Sequence, residues 1–347
     1  MLQLPFGILR IGKANSVQLV MPPDISCETQ SNGFENQRMP SGSVAILLCT
    51  LNGARFLPLQ LASFESQDLA EWRLFVSDDG SADDTLPLLM EFQKKHGARR
   101  VNIRRGPGKG FVANFLSLIC DPTLQSDYYA LSDQDDVWEA HKLSRARSFL
   151  MNAPHNVPCV YCSRTRLIDE DGVEIGLSPL FRKPAHFRNA LVQSIAGGNT
   201  MVFNEKTRSI LMQAGADAAM TAAHDWWIYL ATAAVGGRIF YDPFPTVAYR
   251  VHAGNLIGSN RSFGSRLQRA YMLWNGCFRA WSDLNIRALE RIQGAMPEEN
   301  KKTFELFRRS RNLSLLPRLC GLLRSGIYRQ TMLGNIGLIL AALVKKI

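Results

Sequence analysis

The sequence predicts an α/β protein: a mostly parallel, Rossmann-like sheet with flanking helices, followed by a basic helical tail. Three observations carry this. Short apolar runs at residues 44–49, 72–76, 101–103 and 128–131 alternate with segments of helical period, and such alternation builds a parallel sheet covered on both faces. Each run ends in a polar motif, namely Thr50-Leu-Asn52-Gly53, Ser77-Asp78-Asp79-Gly80-Ser81, Gly106-Pro-Gly-Lys109-Gly110 and Ser132-Asp133-Gln-Asp135-Asp136. Ligands on these sheets bind beyond the carboxyl ends of the strands, so the motifs imply one cleft. The third observation is charge: of a net +10 over 347 residues, residues 261–347 alone hold 16 Lys/Arg against 5 Asp/Glu.

Residues 1–42 mix Pro, Asn, Gln, Ser and Gly without a sustained period, and lack the charged start and apolar stretch of a signal peptide. A poorly ordered extension is expected, with Met39 a candidate start. Residues 44–49 are uninterruptedly apolar, as in a strand buried on both faces. The next helix offers Phe56, Leu57, Leu59, Leu61 and Phe64 as its apolar stripe. After the strand at 72–76, Asp83 or Asp84 caps a helix at 85–96. The glycine-rich connection after 101–103 lacks the GxxxxGK[ST] spacing of a phosphate-cradling loop, and a tight turn into the helix at 111–120 explains it equally well.

The strand at 128–131 runs into three carboxylates within four residues. Charges this close stay ionised only with a cation or hydrogen-bond donors among them. Hard oxygen ligands with open positions suit Mg²⁺ or Mn²⁺ holding a substrate phosphate; an acidic surface loop is the plain alternative. Downstream, residues 160–168 and a turn at 169–172 read as a hairpin. Gly197 and Gly198 precede a strand ending near 203, where a backbone can approach a ligand closely. His224-Asp225-Trp226-Trp227 opens a helix, where an acid is ordinarily a cap.

An apolar content of 46% with 20% charged residues indicates a globular chain. Seven scattered cysteines imply no disulfide framework and a reducing compartment. Cys159 and Cys162 lie in a strand with no second pair to complete a zinc site. The tail's charge points to an anionic partner, membrane headgroups or nucleic acid. No stretch reaches the roughly 18 apolar residues of a membrane span. Residues 333–344 are either an interfacial segment or, preferably, an ordinary buried helix.

The succession Thr-x-Asn, Asp-Asp-Gly-Ser and Asp-x-Asp-Asp resembles the family 2 glycosyltransferases of the GT-A fold. Gly110-Phe-Val-Ala-Asn-Phe115 and Ser132-Asp-Gln-Asp-Asp-Val-Trp138 resemble its bacterial rhamnosyltransferase-like branch. The match spans about residues 43–260, leaving 1–42 as the extension and 261–347 as the loosely matched basic helical region. The resemblance implies that Thr50, Asn52, Asp79 and Lys109 serve the nucleotide, and that Asp133 and Asp135 bracket the ribose and the metal–diphosphate. It puts His252 on the Mg²⁺ or Mn²⁺ ion with Arg250 nearby, and makes Asp225 the general base. Gly198, Asn199, Trp226 and Trp227 fall to the acceptor, one tryptophan as a sugar-stacking platform and the other as core.

The implied activity is inverting, metal-dependent transfer of a sugar, L-rhamnose among the choices, from a nucleotide diphosphate onto a glycan hydroxyl in bacterial surface polysaccharide synthesis. The implied acceptor is a glycan, free or lipid-linked, and the implied location is cytoplasmic, peripheral on the inner face of the cell membrane. Two other readings stand beside it. A sugar-phosphate nucleotidyltransferase would want a basic loop after the first strand, where only Arg55 is found. A nucleic-acid-binding protein is poorly served by an acidic cleft, and the tail shows no recognised module; no nucleic-acid partner is expected.

Overall fold

The computed structural model describes residues 42–154, 156–215, 221–252 and 276–347, together with two paired strands, Gln3–Leu4 and Gly7–Ile8. Nearly all of the expected extension, and residues 253–275, lie outside the described residues. Strands β1 (Val44–Thr50), β2 (Trp72–Asp78), β3 (Val101–Arg105) and β4 (Tyr128–Ser132) run parallel in the order β3-β2-β1-β4. Between them lie α1 (Leu57–Glu65), α2 (Thr85–His96) and α3 (Phe111–Ile119). Every residue of β1 is buried. Its period of two sends Val44, Ile46 and Leu48 to a core shared with Leu61, Phe64 and Leu89, and Ala45, Leu47 and Cys49 to one shared with Phe115 and Leu116. A fully buried large apolar side chain stabilises by about 1.5–3 kcal/mol, which is why helices cover both faces.

The second half adds β5 (Val137–Trp138), α4 (Lys142–Met151), β6 (Cys159–Ile168), β7 (Glu174–Leu177), α5 (Phe187–Ala190), β8 (Val202–Asn204), α6 (Glu205–Ala214), α7 (His224–Ala234) and β9 (Arg238–Arg250). β8 lies between β4 and β6 and is antiparallel to both. β9 runs parallel to β6, β5 pairs antiparallel with β9, and β7 closes the expected hairpin on β6. The nine-stranded sheet is therefore mixed, and purely parallel only in its first half. Between β7 and β8 the chain holds only the four-residue α5 and the 3₁₀ turn Gly198–Thr200, with no long crossover helix.

The tail forms α8 (Cys277–Ile292), α9 (Glu298–Ser310), α10 (Leu315–Ser325) and α11 (Met332–Leu343). Leu289, Ile292, Phe304 and Phe307 join the core of α7, so α8 and α9 complete the main body. The preference for an ordinary buried helix at 333–344 is corrected: Met332 is 81% exposed and Leu333 72%, and only Ala341 and Ala342 of α11 are buried. Arg318 donates to the carbonyls of Ala342 and Leu343 at the end of α11 and to that of Leu313. It thereby satisfies C-terminal carbonyls and pins α10 to α11. Among the described residues no helix is long and apolar enough to cross a membrane.

Candidate active site

The carboxyl ends of β1, β2 and β3 are tied together by the predicted nucleotide-side residues. The Thr50 hydroxyl donates to Asp78 Oδ2 at 2.8 Å, and Asp78 also accepts from the amides of Gly80 (3.1 Å) and Ser81 (2.8 Å). Asn52 takes a left-handed backbone conformation (φ 50°), one that asparagine tolerates better than most residues. Its Oδ1 accepts from the amide of Ala82 at 2.8 Å. Asp79 accepts from the amides of Gly108 (2.6 Å) and Gly110 (2.8 Å), one on each oxygen. Lys109 stands exposed at the rim between those glycines. Of the two caps considered for α2, Asp83 makes the bond, accepting from the amide of Thr85 at 3.1 Å.

The acidic turn after β4 divides its three carboxylates. Asp136 is fully buried, accepting from Asn199 Nδ2 on one oxygen and from the Arg250 amide (3.2 Å) on the other. Lys142, also fully buried, donates to the Asn199 carbonyl at 2.7 Å, with its ammonium 3.9 Å from the Trp138 ring centroid. Burial pushes the Asp136 carboxyl up to about 7 and the Lys142 ammonium down to about 7, and each charge opposes the other's shift. Replacing Lys142 by Met leaves a buried carboxylate without its cation. We expect unfolding free energy to drop by roughly 3 kcal/mol, measured by urea denaturation of Lys142→Met; an unchanged midpoint would mean the lysine is neutral in the fold.

Asp133 and Asp135 are only half-buried. Burial first, then the charges of Asp136, Asp135 and Asp225, push the Asp133 carboxyl well above its ordinary range. Asp135 Oδ2 lies 2.8 Å from His252 Nε2, so the predicted metal pair does meet. No cluster of three or more His, Cys, Asp or Glu side chains able to hold a metal occurs among the described residues. Two adjacent, partly exposed ligands fit a divalent cation that takes its remaining positions from water and diphosphate, and the imidazole favours Mn²⁺ over Mg²⁺. Arg250, expected near His252, is 1% exposed and donates to the carbonyls of Asp135, Asp169 and Glu170. It clamps the acidic turn to the β6–β7 hairpin.

Asp225 lies in the first turn of α7, but the N-cap position is Ala223. Its Oδ1 accepts from the Trp226 amide at 2.6 Å. Burial pushes its carboxyl up to about 6, against the pull of the amides of Trp226, Asp225 and Gly198. Gly198 is required by crowding: a Cβ there would sit 2.4 Å from His224 Nε2. His224 is buried, stacked on Phe115 at 4.1 Å, and held neutral by burial, which lowers its pKa to about 3.

Asn199 is buried and spent on Asp136 and Lys142, so it braces the site from within. The expected tryptophan platform is also corrected. Trp227 is 1% exposed, and Trp226 is buried with its indole N–H on the Ala190 carbonyl at 2.6 Å. The apolar environment of α7, buried at ten of its eleven residues, leaves neither ring a free face. Lys142 and His224 were not singled out for roles by the sequence. A lone lysine opening an amphipathic helix looks like a surface group, and only the fold shows it facing carboxylates.

Residues 45–211 match the profile of Glycosyl transferase family 2. The chain is 29% identical over 245 residues to the dTDP-rhamnosyl transferase RfbG of Shigella flexneri, covering 67% of this chain and 81% of that one. It is 25% identical over 197 residues to chondroitin synthase of Escherichia coli, covering 56% and 27%. Among solved structures, the mannosyltransferase PcManGT from Pyrobaculum calidifontis, in complex with GDP-Man and Mn²⁺, aligns with a TM-score of 0.48 at 17% identity, over 91% of this chain and 90% of that one.

Proposed function

We propose that this chain, whose residues 45–211 match the glycosyl transferase family 2 model, is an inverting transferase of that family that moves a sugar from a nucleotide diphosphate to a glycan hydroxyl. The mixed sheet with flanking helices and a C-terminal helical region is the GT-A architecture that the sequence led one to expect. The observation that carries the reading is convergence. Asp133, at the turn after β4, feels the charges of both Asp135 and Asp225, and the Gly198–Asn199 segment bonds Asp225 through the Gly198 amide and Asp136 through the Asn199 side chain.

In this reading Asp225 accepts the proton of the acceptor hydroxyl as its oxygen bonds to the anomeric carbon. The bond from that carbon to the diphosphate breaks on the opposite side, and the nucleoside diphosphate leaves with the electron pair. Asp225 suits the step because a base works best with a pKa near the operating pH. Thr50, Asn52, Asp79 and Lys109 border the nucleotide, and Asp133 the ribose. Asp135 and His252 would hold a divalent cation, which supplies charge neutralisation for the departing diphosphate. The similarity to a dTDP-rhamnosyl transferase supports L-rhamnose as the first donor sugar to test. The basic tail supports an acceptor presented at an anionic membrane face, lipid-linked and on the cytoplasmic side.

The test is thermal protection by a panel of nucleotide sugars with Mn²⁺, Mg²⁺ or chelator. One donor is expected to raise the melting temperature only with metal; a donor at 100 times its Kd contributes about 2.7 kcal/mol. Protection by none, with or without metal, would sink the donor assignment.

A further inference from the structure

We propose that helices α10 and α11 form the surface by which this protein docks on an anionic lipid bilayer. The inference deepens the membrane-side reading above and rests on it for the choice of partner. On α10, Leu316 and Leu323 are 73% and 74% exposed; on α11, Met332, Leu333, Ile336 and Leu340 are 81%, 72%, 44% and 51% exposed. Their spacings of seven, three and four residues are those of helical stripes. Single exposed leucines are ordinary, but a run of them on two joined helices marks an interaction surface. Arg318 locks the two helices together through the carbonyls at the end of α11.

Charge decides the occupant. From residue 306 to residue 347 the chain has eight Lys/Arg and no Asp or Glu. Arg308 and Arg311 are paired with Glu290 and Asp283, and Arg318 is spent on carbonyls. Arg324 and Lys345, by contrast, stand exposed close to the C-terminal ends of α10 and α11. A second copy of this chain would bring like charges together, whereas anionic headgroups complement them while the apolar stripes enter the acyl boundary. The twelve residues of α11 give about 18 Å of helix, too short for a hydrocarbon core of roughly 30 Å. The helix therefore lies in the interface plane.

The experiment is flotation of the full chain with vesicles of phosphatidylcholine alone or mixed with phosphatidylglycerol, without nucleotide sugar. Binding is expected to the mixed vesicles and to weaken in high salt. The triple variant Leu316→Ser, Leu323→Ser, Leu333→Ser should lose about a hundredfold in partitioning with an unchanged melting temperature. Arg324→Glu with Lys345→Glu should lose the preference for anionic lipid, by at least about tenfold. Two results would overturn the proposal: no binding, or equal binding by all three proteins. So would light scattering that shows the serine variant turning a dimer into a monomer, which would assign the face to a second copy. Because no substrate is present, failure here leaves the transferase reading intact.

Discussion

Asp225→Asn is expected to lower the transfer rate by about 10²- to 10⁴-fold while nucleotide binding persists. The amide keeps the side chain's shape and its acceptance from the Trp226 amide, but it cannot take the acceptor's proton. The wild-type rate carries a second signature. With the Asp225 carboxyl pushed up to about 6, the active carboxylate form declines below that pH, so the rate should fall about tenfold per pH unit there and level off above it. Stability runs the other way. The fold holds this proton more tightly than the unfolded chain does, so the group's stabilising contribution is full below its unfolded value and lost as pH rises through about 6. Stopped assays across pH and calorimetry with the donor separate these effects. If donor affinity collapses together with turnover, Asp225 belongs to the donor site and the base lies elsewhere.

Asp135→Asn should abolish the metal dependence of donor binding. A neutral amide is a weak ligand beside His252, and affinity in Mn²⁺ should fall by more than about a hundredfold, to the value seen with chelator. The fold should not suffer. Asp135 is one of the charges that raise the Asp133 and Asp136 carboxyls, so its neutralisation relieves repulsion, and the melting temperature should hold or rise. Calorimetric titration of donor into the variant, with and without Mn²⁺, gives the answer; undiminished metal-dependent binding would remove this ligand pair.

The first half of the fold was legible because β1 is buried on both faces and reads as an unbroken apolar run, and the runs at 72–76, 101–103 and 128–131 alternate with helical segments. Each ended within two residues of the expected position, as β1 and β2 show. β8 was not legible as antiparallel, since three residues carry no directional signal. Within the site, sequence separated charged groups from apolar ones but not exposed charges from buried ones. Arg250 and Asp136 look like surface groups in the sequence and are structural in the fold, because their partners are backbone groups and an amide from distant elements. Trp226 and Trp227 failed for the converse reason: an aromatic beside an acid suggests a sugar platform, but their position is fixed by the core of α7. Residues 333–344 misled because an apolar dozen is equally consistent with burial and with an interface.

The loops after β1, β2 and β3 are fastened to one another by Asn52 and Asp79, which accept from the amides of Ala82, Gly108 and Gly110, while the Thr50 hydroxyl ties the end of β1 to Asp78. The consequence is entropic. Fixing the backbone of one residue costs about 1–2 kcal/mol at room temperature, and these turns have already lost that freedom in folding. A nucleotide arriving at this edge need not order them, so more of its contact energy remains as affinity. Cutting one fastening, as in Asp79→Ala, would return that disorder to the ligand-free state, and weaker binding would follow even if Asp79 never touched the ligand.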